Sequence, residues 1–398
     1  MEKAISQPKE VLWNRNYIAV CSANFLLFFS FYLLLPMLPF YLRDTFDADK
    51  QLIGIILSGY TVTALVVRPF GGFIVDSFPR KPVLLICYFA FFIFFAGYLL
   101  AGTLLLFAII RAMHGFTFGA VTVANSTMAI DVLAPSRRAE GIGYYGVSNN
   151  LAMAIGPSLS MYMYDHNILP EYIFLTALLS SAIGLMLNAS IKTPRRECTP
   201  GKQPISLDRF FLTNALPESS MVIFFSFAYG ILSTYVAIYG KDEIGIEGGS
   251  GLFFLLLAIG LIGARLLSAQ WVKRGLLTRN IGVGMVLTII GYLSFVLWHS
   301  PEGYYASALI LGCGYGAMCP SFQTVFIDLA PNNRRGTANS TYLTSWDLGL
   351  GIGVMLGGSV AQHLSYHAAY YVATAVCVIG FLSFIFHTAH HFNHHKLR

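Results

Sequence analysis

Apolar residues run along this chain in blocks of about twenty, and polar or charged residues collect in the short gaps between the blocks. Each block is about twice the roughly 9–11 residues of a membrane β-strand and shows no alternation of polarity, so the pattern predicts helices. Backbone groups in lipid must be satisfied within the segment, which a helix does by itself. Reading the blocks by apolar length predicts twelve spans, over 16–41, 51–75, 83–101, 104–130, 140–164, 172–191, 219–240, 249–272, 280–299, 303–327, 337–362 and 367–388.

Composition makes the same case. Of the 398 residues 56% are hydrophobic and only 11% charged, against about 25% charged in soluble domains. Nineteen Lys and Arg fall at the two termini and in the even-numbered loops, whereas the odd-numbered loops hold only Arg43, Lys50 and Lys241. By the positive-inside rule both termini face the cytoplasm. The formal charge of +6 follows this topology and gives no reason to expect a nucleic-acid partner. The polar first fifteen residues lead into a span of full length without a small-residue cleavage site, so the first helix is expected to be retained. Compact loops point to a bacterial inner membrane, with lipids as surroundings and a monomer as the expected state.

The chain repeats itself at an offset of 197 residues. Arg68 falls over Arg265, Gly115 over Gly312, Gly119 over Gly316, Asp131 over Asp328, Arg137 and Arg138 over Arg334 and Arg335, and Gly156 over Gly353. Six helices are therefore followed by six of the same orientation, a parallel repeat of the kind secondary transporters use, with the substrate site between halves near the midplane. The expected organisation is a six-helix bundle over 1–191, a polar cytoplasmic linker over 192–216 with a short surface helix around 207–212, and a second bundle over 217–398.

Four stretches carry a family resemblance. Gly72 to Lys81, G-F-I-V-D-S-F-P-R-K, resembles the signature loop between the second and third helices of the major facilitator superfamily, with Pro79 where the family usually has glycine. Arg111 to Gly119 is similar to the fourth-helix R-x-x-x-G-x-x-x-G pattern. Pro36-Met-Leu-Pro39 is similar to the first-helix P-x-x-P of twelve-helix drug and proton antiporters, and Ala152 to Ser160 to their fifth-helix motif, with alanine and serine standing at glycine positions. The resemblance covers the whole chain and implies an all-α polytopic fold of two parallel, pseudo-symmetric six-helix bundles. It also implies a cytoplasmic gate of Gly72, Asp76, Arg80 and Asp131, in which Arg80 pairs with Asp131. The plain alternative for Arg80 and Lys81 is attraction to anionic headgroups, which leaves Asp76 unexplained.

Ionisable residues within spans cost about 2.5–3.5 kcal/mol each at mid-helix and are kept for a reason. Asp347 lies near the middle of the eleventh span and its repeat mate is Asn150. A carboxyl group held away from water is a candidate proton carrier; a fixed hydrogen bond between helices is the alternative. Arg111 is the second candidate for proton coupling, and a purely structural pairing is its alternative. Arg68 and Arg265, present in both halves, are expected to be structural. Asn24, Phe28 and Tyr32 recur every four residues on one helix face, and with Tyr229, Asn149, Asn150, Gln323 and Trp346 they are candidates to line a substrate cavity. Such a lining suits a small amphipathic substrate with a cationic or hydrogen-bonding part near Asp347. The histidines of the tail HTAHHFNHHKLR have metal-ligand spacing on a helix, but a disordered basic tail is the expectation.

No G-x-x-x-x-G-K-[ST] or H-E-x-x-H is present, and no enzyme, cofactor or metal is expected. The reading is a secondary transporter that exports small amphipathic compounds in exchange for protons by alternating access. Uptake of a small metabolite, or a transport-dead receptor on the same fold, are the rivals.

Overall fold

Proline and polar caps set where the helices begin and end. The computed structural model describes residues 12–133, 137–192, 211–246, 250–330 and 335–397. In chain order the helices are α1 (Arg15–Leu34), α2 (Leu38–Phe46), α3 (Lys50–Ser77), α4 (Arg80–Leu100), α5 (Leu104–Asp131), α6 (Arg138–Asp165), α7 (Pro170–Ser190), α8 (Leu216–Tyr239), α9 (Ser250–Lys273), α10 (Leu277–Leu297), α11 (Pro301–Asp328), α12 (Arg335–His363), α13 (Tyr366–Ser383) and α14 (Ala389–His395). Twelve of them have 18 residues or more, and ten described helices are long and apolar enough to cross a membrane. The two below that mark are α6 and α12, which carry the polar positions Asn149, Asn150 and Asp347.

Two expectations need correction. The first predicted span is cut at Pro36, which has no N–H to donate and crowds the preceding turn, so the chain breaks after Leu34 and resumes as α2. The tail is a helix rather than disordered, because it has an apolar anchor: Phe392 is buried, His391 Nδ1 meets Glu218 Oε1 at 2.9 Å, and Leu397 N–H donates to Asp328 O at 2.9 Å. Of the expected surface helix near the linker, residues 207–210 lie outside the described residues, and a single turn, Thr213–Ala215, precedes α8.

The packing repeats as the sequence does. Helix α3 packs on α5, α1 on α6 and α7, and α4 on α5 and α7; α9 packs on α11, α8 on α12 and α13, and α10 on α11 and α13. A Cβ on Gly115 would collide with the carbonyl oxygen of Tyr60, and one on Gly312 with that of Leu257, so both glycines let paired helices touch backbone to backbone. Even the caps recur: Thr103 Oγ accepts from Leu106 N–H at 3.3 Å and Ser300 Oγ from Gly303 N–H at 3.3 Å. The outer surface is apolar, with Leu100 and Leu267 among many exposed side chains, as a lipid-facing wall requires.

The two main contacts between the groups are α3 on α12 and α6 on α9. They too are related by the repeat. A Cβ on Gly54 would lie 2.9 Å from Val354 O, and one on Gly251 2.8 Å from Ser158 O. At the face away from Arg15 and α14, the groups are tied by polar contacts. Arg43 Nη1 meets Asp242 Oδ2 at 2.7 Å, Lys50 N–H donates to Gln362 Oε1 at 3.0 Å, and Lys241 Nζ donates to the Tyr164 hydroxyl at 3.4 Å.

Candidate functional site

Asp347 sits on α12 where that helix crosses α3, and the residue facing it is Arg68. The Arg68 Nη2 to Asp347 Oδ2 distance is 2.7 Å, and the side chains are 6% and 15% exposed. This ion pair therefore runs between the two helix groups at mid-span, and the acid already has its cation. Sequence reasoning treated Asp347 and Arg68 separately. The signal available was a count: a single acid deep within a span, beside three arginines that also fall within helices, calls for one of them as its partner.

The repeat predicts a second such pair, Arg265 with Asn150, across α6 and α9. Arg265 does lie at that contact, its Nη2 3.6 Å from where a Cβ on Gly146 would sit. Asn150 has no charge to offer, and among the described residues Arg265 has no ion pair or side-chain hydrogen bond. Tyr32 lies within electrostatic range of Asp347, Arg68 and Cys319, and Tyr342 within range of Cys319, Arg265 and Tyr32. These side chains from α1, α3, α9, α11 and α12 thus converge on one central region.

A third cation stands beside it. Arg111 is 1% exposed, its guanidinium 4.1 Å from the Tyr60 ring centroid, with Nη1 donating to the Tyr98 hydroxyl at 3.4 Å. Its Nε has no hydrogen-bond partner among the described residues. His114 shares the pocket, its Nδ1 2.9 Å from the Tyr98 hydroxyl and its ring enclosed by Phe91, Phe94 and Phe95. Tyr60 itself is within electrostatic range of Arg111, Asp347 and Arg68, which links this pocket to the central pair.

The family model "Major Facilitator Superfamily" matches residues 20–354 and 281–397. The chain belongs to the major facilitator superfamily. Among curated facilitators it is similar to the staphylopine export protein of Staphylococcus aureus (strain Mu50), 24% identical over 85% of this chain and 88% of that protein. It is also similar to the quinolone resistance protein NorA of S. aureus (strain MRSA252), 22% identical over 92% of this chain and 95% of that one. Among solved structures, a bacterial homologue of the human lysosomal transporter Spinster, inward-facing and unoccupied, superposes with a TM-score of 0.77 at 13% identity over 96% and 98% of the two chains. The facilitator fold and a transport rather than enzymatic role follow.

The other expected site residues of this facilitator fall in three places. Tyr229 and Trp346 pack at 5.5 Å between ring centroids near the centre, and the Tyr229 hydroxyl donates to Met153 Sδ at 3.0 Å across the two groups. Phe28 stacks on Tyr32 and meets Phe118 edge-on. Asn149, Asn150 and Gln323 are partly buried, and Asn149 Oδ1 has no hydrogen-bond partner among the described residues.

Asn24 is committed elsewhere. Its Nδ2 donates to Ser148 Oγ at 2.8 Å, and its Oδ1 accepts from Asn125 Nδ2 at 3.2 Å. Asn125 in turn accepts from Asn188 Nδ2 at 3.2 Å, which makes a buried amide chain through α1, α5 and α7. At the face carrying Arg15 and α14, Arg80 pairs with Asp131, partly buried on both sides, and Lys81 Nζ donates to Ile191 O at 2.8 Å. Arg80 starts α4 and Asp131 ends α5, so this pair is internal to the first helix group. The backbone of Gly72 and Asp76 is on α3, and their side chains lie outside the described residues.

Proposed function

We propose that this facilitator is a proton-coupled exporter of small amphipathic compounds that works by alternating access, with both termini in the cytoplasm of a bacterial cell. The observation that carries the reading is the Arg68–Asp347 ion pair, a titratable acid placed at mid-span on the contact between the two helix groups. A proton taken up by Asp347 removes the attraction to Arg68, so protonation and the opening of that contact are one event. The ties at the opposite face, Arg43 to Asp242 and Lys50 to Gln362, hold the groups closed there and leave the cytoplasmic side to open. The pair of Arg80 and Asp131, internal to the first helix group, fixes the helix end that carries Gly72 and Asp76 as that group's side of the cytoplasmic gate, and Arg111 adjusts the charge balance around Asp347. The staphylopine export named for one relative, with the quinolone resistance named for another, supports the direction. Tyr32, Tyr229 and Trp346 supply the aromatic surface for the apolar part of a substrate.

The test is proton flux into liposomes holding the purified protein and an internal pH dye, with cationic, neutral and anionic amphiphiles added in turn. Substrate-triggered proton movement opposite to the substrate, lost in Asp347→Asn, is the expected result. Substrate movement without protons, or coupling that survives in the variant, would overturn it.

A further inference from the structure

Away from helix ends, the spans carry four charged side chains, Arg68, Arg111, Arg265 and Asp347. Three are guanidinium groups, which stay charged at any working pH, and Asp347 matches only Arg68. Arg111 is partly served by the Tyr60 face and the Tyr98 hydroxyl, inside its own pocket. Arg265 is the cation left over. It is partly buried, has no ion pair or side-chain hydrogen bond among the described residues, and stands at the repeat-related place of Arg68. Where Arg68 finds Asp347, the repeat gives Arg265 only Asn150.

We infer that the central site receives a carboxylate of its substrate at Arg265, in the position that Asp347 occupies for Arg68 on the other side of the pseudo-symmetric contact. An uncompensated guanidinium inside a low-dielectric span favours an anion strongly, and its planar fork matches a carboxylate by two parallel hydrogen bonds. The rings of Tyr32, Tyr229 and Trp346 then take the apolar body, and Asn150 offers an amide to the same group. This replaces the expectation that a cationic part would lie near Asp347, whose charge Arg68 already uses. The inference rests on the transporter reading above only for the location of the site, and it fixes the substrate class as amphipathic carboxylates.

The experiment measures binding by tryptophan fluorescence on the full chain in detergent, with no pH gradient, using phenylbutyrate, its amide and phenylbutylamine as matched probes. The acid is expected to bind about tenfold more tightly than the amide, the effect of one charge-assisted contact, and the amine most weakly. Arg265→Gln is expected to equalise acid and amide with the amide unchanged, and Arg265→Lys to keep the preference. Equal affinities in the parent, tightest binding of the amine, or a preference that survives Arg265→Gln would overturn the inference. Because nothing moves in this assay, a failed proton-flux experiment sinks the export reading and leaves the preference standing. The reverse also holds.

Discussion

Replacing Arg68 and Asp347 singly and together tests whether the central pair is a real coupling between the helix groups. At 2.7 Å separation and an effective dielectric of about 20, two unit charges attract by roughly 6 kcal/mol. Removing both from water costs several kcal/mol per ion, so the pair as a whole is close to neutral, while stranding one charge costs about 3–5 kcal/mol. Arg68→Gln and Asp347→Asn should each lower the thermal midpoint of the protein in lipid nanodiscs, and Arg68→Gln/Asp347→Asn should return close to the parent. The singles should also differ with pH. A stranded carboxyl group neutralises itself by taking a proton, so the loss in Arg68→Gln should shrink as pH falls, whereas the stranded guanidinium of Asp347→Asn has no such escape and its loss should stay constant. The assay is intrinsic fluorescence during heating at one scan rate, repeated over a range of pH. Additive losses in the double variant, or a pH dependence in the wrong single variant, would refute the pairing.

Two further outcomes follow from the packing. Arg43→Gln should favour opening of the face that Arg43 and Asp242 tie; both side chains are 34% exposed, so the effect is modest, about 0.5 kcal/mol or a twofold change in population. Distances between probes attached at Asn167 and Glu302, in a background without native cysteines, should shift toward longer values by that fraction. Gly115→Ala and Gly312→Ala should each destabilise the protein by about 1–3 kcal/mol or more through overpacking, while Gly59→Ala, where a Cβ meets nothing within 4 Å, should leave the thermal midpoint near the parent.

The helices were legible in the sequence because lipid forces each span to be both long and continuous in polarity; most ends fall within a few residues of the apolar blocks. The exception at Pro36 arose because a break inside an apolar run leaves no polar mark. The repeat was legible through scarce residues: in a chain with few charges, Arg68 over Arg265 is informative. The partners of those residues were less so. Asn24 looked like cavity lining because helical spacing gives a face but not what it faces, and Asn125 and Asn188 lie more than sixty positions apart from each other and from it along the chain. Likewise Arg265 gained meaning only once Gly146, and not an acid, was found beside it.

The amide chain of Asn24, Asn125 and Asn188 has no counterpart in the second helix group, where the repeat places Met221, Phe322 and Ile385. Lipid provides little apolar driving force to tell one helix pairing from another, so directional bonds between helices do much of that sorting. The amino-terminal group leaves the ribosome first and must wait in the bilayer while the rest is synthesised. A ladder of three amides fixes the register of α1, α5 and α7 during that interval, whereas the later group can assemble against a surface already in place.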